Sequence, residues 1–493
     1  MTVLHASVKT GTLLGVESVA VDVEVEVAAG LPAFTLVGLP DAAVQESRER
    51  VRSALRHCGF DVPNARIVVN LAPGPVKKHG TGFDLPIALA LLVATGQAPA
   101  SWVDGVFAVG ELSLEGTVRP TAGALAHAAT AARLGYTLVC PEPTPSPSSS
   151  VPTRAIRHLS MVRRPLAELP STLPHASRPQ PRQHDFSEVK GHAVAQRALV
   201  VAAAGGHNVL LIGPPGTGKT MLARSLPSIL PPLTVAEREE TALIHSVAGV
   251  DEGRVLAGER PFRSPHHCAT VAGLVGGGSP PRPGEASLAH NGVLFLDELP
   301  EFAPSALQSL RQPMEEGEIV LVRAHGRIRM PARFSLVAAA NPCPCGYLGD
   351  SARACTCPPH RIETYRARVG GPLLDRIDII CHIARPDPSE LMGGCEGPTS
   401  TDLRAVVSLA RAYAECDGRR PSSGLSGTDL LSACRLGRAV RVLEGMARDA
   451  QLSGRGITRL LRVARTLADL ENSAHVTEAH LAEALMYRGE DAR

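Results

Sequence analysis

No apolar run in the 493 residues approaches the ~20 needed to span a bilayer, so no membrane helix is expected. No sign of charge dominates either: 50 Lys and Arg stand against 48 Asp and Glu, a net charge of +2. That balance excludes capture of a polyanion by the whole surface, and any nucleic-acid contact must come from local patches. No internal repeat is evident, and the start, Met1-Thr2-Val3-Leu4-His5-Ala6, lacks the charged and apolar regions of a signal peptide. A cytoplasmic location is therefore expected. In that reducing compartment eleven cysteines suggest metal more than disulfides.

A hydrophobic content of 44% with 20% charge is that of a globular protein, and the length suggests two to four domains. Residues 1–165 read as one mixed strand and helix domain. Val19, Val21, Val23, Val25 and Val27 alternate with Asp22, Glu24 and Glu26, the pattern of a half-buried strand. Residues 41–56 read as a helix capped by Asp41, 67–71 as a strand and 85–94 as an apolar helix. Residues 142–184 are rich in Pro, Ser and Arg. They read in part as linker, set at 166–184, with a strand near 156–162. From 185 to 387 strands alternate with helices, as in a parallel α/β sheet. From 388 to 493 the pattern is helical, with a strongly amphipathic segment at 457–470.

The octapeptide Gly213-Pro214-Pro215-Gly216-Thr217-Gly218-Lys219-Thr220 fits the phosphate-binding loop, between an apolar strand at 208–212 and a helical segment at 221–226. Such a loop turns backbone amides and a helix N-terminus towards phosphate oxygens. Lys219 then serves the β- and γ-phosphates of ATP, and Thr220 serves Mg²⁺. The apolar run Val293-Leu294-Phe295-Leu296 ends in Asp297-Glu298, at the carboxyl end of a buried strand, where ligands of such sheets bind. Asp297 is placed to hold Mg²⁺ through water, and Glu298 to polarise the attacking water. A third apolar strand, 334–340, ends in Asn341, which is placed to sense the γ-phosphate or position water.

Residues 318–323, a turn at His325-Gly326, and 327–330 read as a β-hairpin carrying Arg323, Arg327 and Arg329. It is either a solvated edge or a basic hairpin projecting into a pore to touch phosphates. Cys343-Pro344-Cys345 and Cys355-Thr356-Cys357 form two C-x-C pairs whose four thiolates fit tetrahedral Zn²⁺. Reduced thiols at a packing turn are the alternative. Arg376 and Arg455 look like ordinary surface arginines unless the chain forms a ring, in which one subunit's arginine can reach its neighbour's γ-phosphate.

Together these elements resemble an AAA+ ATPase of the magnesium-chelatase-like clade, and more closely the bacterial ComM/YifB family. The resemblance covers nearly the whole chain. Its most specific stretches are 202–223, Arg263-Ser264-Pro265-His266-His267, 283–300, Asn341-Pro342-Cys343-Pro344-Cys345-Gly346 and 371–378. It implies that Asn341 is sensor 1, Arg376 a finger acting in trans, and Arg455 sensor 2. It also implies an adenine pocket at Val189-Lys190-Gly191, an insertion in helix 2 at about 247–290, and a helical lid at 388–493.

The N-terminal part resembles the Lon-protease fold, related to ribosomal protein S5 domain 2. The run Gly110-Glu111-Leu112-Ser113-Leu114-Glu115-Gly116 supports this. Lon-type proteolysis needs a Ser–Lys dyad. The corresponding loop, Lys77-Lys78-His79-Gly80-Thr81-Gly82-Phe83-Asp84, has no serine, and 120–133 has no lysine. Thr81 without an activating base is a poor nucleophile. A non-proteolytic binding module is expected. The functional expectation is a Mg²⁺-dependent ATPase, and the family resemblance implies a hexameric DNA motor doing helicase or branch-migration work on single-stranded or branched DNA in recombination or natural transformation. The alternatives are a magnesium-chelatase motor subunit and a protein-remodelling AAA+ chaperone.

Overall fold

A computed structural model describes residues 4–141, 151–171, 185–323, 326–386 and 397–488. The Pro- and Ser-rich stretch at 142–150 and most of the expected linker lie outside the described residues.

Alternating valines build the first sheet. Val21, Val23 and Val25 are fully buried in the strand Glu17–Ala28, and each contributes about 1.5–3 kcal/mol by leaving water. This strand pairs antiparallel with Leu4–Leu14 and Arg66–Ala72. The seven strands run in the order Ala33–Val37, Arg66–Ala72, Glu17–Ala28, Leu4–Leu14, Val106–Ala108, Thr137–Cys140, Thr153–Ala155. The helix Ala42–His57 starts at Asp41, whose carboxylate accepts from Val44 N at 2.9 Å. The helix Asp84–Ala94 is buried almost all round, and so carries an unbroken apolar sequence. Its buried Asp84 carboxylate is paired rather than orphaned: Arg50 Nε donates at 2.6 Å and Leu112 N at 3.1 Å.

The strand expected near 156–162 is displaced. Pairing covers Thr153–Ala155, and Leu159–Arg163 is a 3₁₀ turn whose start is capped by His158, accepting from Ser160 N. The linker expected from 166 also starts later. Leu169 is buried in the N-terminal core, and Pro170 O accepts from Ala155 N at 2.8 Å.

The second sheet has five parallel strands in the order Phe262–Arg263, Gly292–Leu296, Phe334–Ala340, Val209–Ile212, Ile379–His382. Their apolar runs are continuous because both faces are covered. Val293 and Phe295 pack with the phosphate-loop helix Lys219–Ile229, while Leu294 and Leu296 face a separate core on the other side. The expected insertion at 247–290 is thus only partly an insertion, since Phe262–Arg263 is the edge strand of the core sheet.

The C-terminal region is helical: Ser400–Cys416, Gly427–Cys434, Ala439–Asp449, Gly454–Leu470 and Glu478–Met486. Its apolar faces share one core with the phosphate-loop side of the sheet. A buried bridge reinforces the union. His207 Nδ1 meets Asp378 Oδ2 at 2.9 Å, and its Nε2 meets Thr466 Oγ1 at 2.7 Å. The N-terminal unit also touches the second sheet's domain, where Gly123 N donates to Ser246 O at 2.8 Å. Among the described residues no helix is long and apolar enough to cross a membrane.

Candidate active site

The strand order puts three carboxyl-terminal strand ends side by side. Phe334–Ala340 lies between Val209–Ile212 and Gly292–Leu296, so Asn341 falls between the phosphate loop and the acidic pair. Asn208 locks this arrangement. Its Oδ1 accepts from Leu336 N at 2.8 Å, and its Nδ2 donates to Arg376 O at 2.9 Å.

The phosphate loop turns through Gly216 and Gly218 at φ +77° and +79°, values that side chains disfavour, and Gly218 caps the helix Lys219–Ile229. Gly213 has no room for a side chain, because a Cβ there would stand 2.4 Å from Ile383 O. Thr217 Oγ1 donates to Pro214 O at 2.9 Å. Lys219 Nζ donates to Gly213 O at 2.7 Å, Pro214 O at 2.8 Å and Asn341 Oδ1 at 3.3 Å. Burial lowers the Lys219 pKa, while Asp297 and Glu298 oppose that shift and favour the charged form. Thr220 Oγ1 donates to Asp297 Oδ2 at 2.8 Å. A hydroxyl and a carboxylate together are hard oxygen donors suited to Mg²⁺. The adjacent Lys219 and Thr220 thus reach two different strand ends, Lys219 bonding Asn341 and Thr220 bonding Asp297.

Glu298 stands beside them in a left-handed conformation, φ +52°, with its side chain 57% exposed. It faces His267 Nδ1 at 3.5 Å. Sequence reasoning missed His267 as a neighbour. It follows a strand of only two residues, too short to carry a readable period. His266, His267 and Cys268 form a small group at this rim.

Val189 is buried in the core, and Gly191 sits at φ +70°. Gln196 Nε2 binds the carbonyls of both, at 2.7 and 3.0 Å, so the two residues share one fixed turn. The two arginines are engaged elsewhere. Arg376 pairs with Glu315, and its Nε is buried without a partner. Glu315 lies in the last turn of the helix Arg311–Glu316, which leads straight into the hairpin Glu318–Arg323 and Gly326–Pro331. Arg455 Nη1 meets Asp375 Oδ2 at 3.0 Å. Asp375 and Asn341 both line a cavity of about 540 Å³ under the sheet.

The hairpin is two-faced. Ile319, Ile328 and Met330 are buried in the core, and Gly15 of the N-terminal unit abuts Ile328. Arg327 and Arg329 are exposed, opposite Val322 and Val320. Arg329 meets Glu318 only at 3.9 Å on an open surface, a pair worth little. His325 and Ala324, at the expected turn, lie outside the described residues.

The four cysteines converge. Cys343 Sγ lies 3.4 Å from Cys345 Sγ and 3.6 Å from Cys355 Sγ, and Cys345 to Cys355 is 3.6 Å. All four sulfurs fall within 4.8 Å of one another. A tetrahedral Zn²⁺ with ~2.3 Å bonds needs S···S edges of about 3.8 Å, close to these values. Hydrogen bonds from the Tyr347 and Thr356 backbone hold the Cys345 thiol down to about 6, whereas Cys355, despite a hydrogen bond from Cys357 N, is pushed up to about 12 by desolvation and its neighbouring thiols, and desolvation raises Cys357.

In the N-terminal unit, Ser18 Oγ and His127 Nδ1 lie 2.8 Å apart, like a nucleophile and its base. Both are buried, and burial pushes His127 down to about 4. Gly11 covers them so closely that a Cβ there would stand 2.2 Å from Ser18 Oγ. The pair is structural.

A parallel sheet with a phosphate loop, a strand-ending acidic pair and a polar strand end between them defines an AAA+ ATPase of the magnesium-chelatase type. Three family models agree. Magnesium chelatase, subunit ChlI, matches residues 185–391; subunit ChlI of Mg-chelatase matches 23–143; and the ChlI C-terminal model matches 397–488. The chain is 42% identical over 413 residues to the uncharacterized protein YifB of Escherichia coli strain K12, covering 82% of this chain and 81% of that one. It is 42% identical over 411 residues to the competence protein ComM of Haemophilus influenzae, covering 81% and 80%. To the 38 kDa subunit of magnesium chelatase from Rhodobacter capsulatus it is 28% identical over 183 residues, 32% of this chain and 50% of that one. The chain belongs to the magnesium-chelatase-like ComM/YifB family.

Proposed function

We propose that this protein is a hexameric ring ATPase that moves on DNA. The observation that carries the reading is the two-faced hairpin. Its apolar face is anchored in the ATPase core, its arginine face is open, and the helix leading into it holds Arg376 through Glu315. In a ring, such hairpins would line a pore and touch phosphates, and their movement would reach the residue expected to act on a neighbour's nucleotide. The relative ComM is a competence protein, which supports work on DNA during transformation.

Within the site, Lys219 binds the β- and γ-phosphates, Glu298 polarises the attacking water, and Asn341 orients it. Mg²⁺, held by Thr220 and through water by Asp297, would neutralise phosphate charge. Val189 and Gly191 flank the adenine, and Arg455 acts as sensor 2. The N-terminal unit is a Lon-like module without proteolysis. Its loop offers only Thr81, and Lys78 is buried with its ammonium bound to Pro73 O.

The test is salt-dependent DNA binding. With an ATP analogue present, the protein should bind single-stranded or branched DNA with an affinity that falls steeply as salt rises. Replacing Arg323, Arg327 and Arg329 with alanine should lower the log–log slope by about 0.7 on single strands, or about 0.9 on duplex arms, for each phosphate that is no longer neutralised. A chelatase subunit or a remodeller of proteins predicts no such slope, and its absence in the wild type would move the reading to one of them.

Cys343, Cys345, Cys355 and Cys357 hold one structural Zn²⁺, with no open coordination position for catalysis. Metal analysis after reducing, chelator-free purification should find about one zinc per chain. A metal-free preparation would leave a packing turn of reduced thiols.

A further inference from the structure

We propose that the four-cysteine site is a zinc clip that sets Asn341 and the phosphate loop in register, so that ATP turnover depends on a metal that takes no part in the chemistry. The inference rests on the zinc and ATPase readings above. Asn341 ends its strand, and the buried Cys343 follows two residues later. The turn Cys343-Pro344-Cys345-Gly346 closes with Gly346 N donating to Cys343 O at 2.9 Å. Its last residue lies against the phosphate loop. A Cβ on Gly346 would stand 2.8 Å from Pro215 Cδ and 3.9 Å from Asn341 Cγ. Gly346 also sits at φ +86°, so this approach requires glycine twice over, for space and for backbone.

The second half of the clip arrives from the other side. Cys355 and Cys357 stand just ahead of the helix Pro359–Ala367. Cys345 N donates to Cys357 Sγ at 3.3 Å, and Cys357 N to Cys355 Sγ at 3.4 Å, bonds that favour thiolates. The four sulfurs converge within 4.8 Å of one another, and a Zn²⁺ bound by all of them would crosslink the two C-x-C segments. The crosslink presses Gly346 onto Pro215. Pro215 belongs to the loop whose Gly213 and Pro214 carbonyls hold Lys219, and Lys219 in turn bonds Asn341. Metal, sensor strand and phosphate loop thus form one closed circuit of contacts.

The full-length protein tests this with two variants. Gly346→Ala keeps all four ligands and should retain the wild-type zinc content. It should lower kcat by about 10²-fold, the cost of a displacement near 1 Å, with a much smaller change in KM. Cys357→Ser should lose zinc and show the same kcat loss. Zinc is measured by elemental analysis, nucleotide binding with a fluorescent ATP analogue, and folding by thermal melting. If Cys357→Ser does not fold, Gly346→Ala carries the test alone. A zinc-loaded Gly346→Ala protein that turns over ATP at the wild-type rate overturns the clip and leaves the zinc site standing. A wild type without zinc overturns both. A wild type that holds zinc and binds no nucleotide overturns the ATPase reading and the clip together.

Discussion

Glu298→Gln should bind ATP normally and hydrolyse it at least ~10²-fold more slowly, the contribution expected of a positioned general base. Glutamine keeps the shape of glutamate and leaves Lys219, Thr220 and Asp297 in place, so binding is spared. What it loses is the charge that, in the proposed role, would draw a proton from water. The conformation of Glu298 argues that its place is functional. A non-glycine residue at φ +52° costs about 1–2 kcal/mol, and here it holds the carboxylate out beside His267 rather than in the core. Lys219→Ala should go further and remove both binding and turnover, because in the proposed role the ammonium would contact the phosphates in ground and transition states alike. Phosphate release and equilibrium binding of a fluorescent ATP analogue separate the two variants. Normal turnover by Glu298→Gln would take that residue out of the reaction.

Arg376→Ala should bind ATP and lose hydrolysis by roughly 10³-fold if this arginine completes a neighbour's site. In the single chain it is stored rather than free. Glu315 pairs with it, and burial together with Arg311 and Arg455 lowers its pKa. Its position at the end of the helix Gly371–Leu374 is fixed through Asn208, which also fixes the strand that presents Asn341. Mixing Arg376→Ala with Glu298→Gln protein should restore part of the activity, since some interfaces then contain one intact copy of each residue. Full-rate turnover by a monomer, or no recovery on mixing, would sink the shared-site idea.

Much of the fold was legible because the signals are local. Strand 334–340 is read to the residue, since an apolar run broken only by Ser335 stands between Arg333 and Asn341. The valine alternation at 19–27 gave the face as well as the strand. The displaced strand near 156–162 failed for the opposite reason. Thr153–Ala155 pairs over three residues at a sheet edge, where neither period nor composition accumulates. The edge strand Phe262–Arg263 was missed likewise, and so a piece of the core sheet was read as insertion.

By itself the sequence determined the class of chemistry. The phosphate loop, the acidic pair and the two C-x-C pairs are each set by spacing within a few residues, and spacing is what a sequence displays. Only the tertiary structure decided which residues meet. Thr220 with Asp297, Lys219 with Asn341, Gly346 with Pro215, Glu298 with His267 and His207 with Thr466 are pairs from distant parts of the chain. Their contacts depend on strand order and on helices packed across the sheet. Those are set by burial summed over whole cores, and no short stretch of sequence contains that sum.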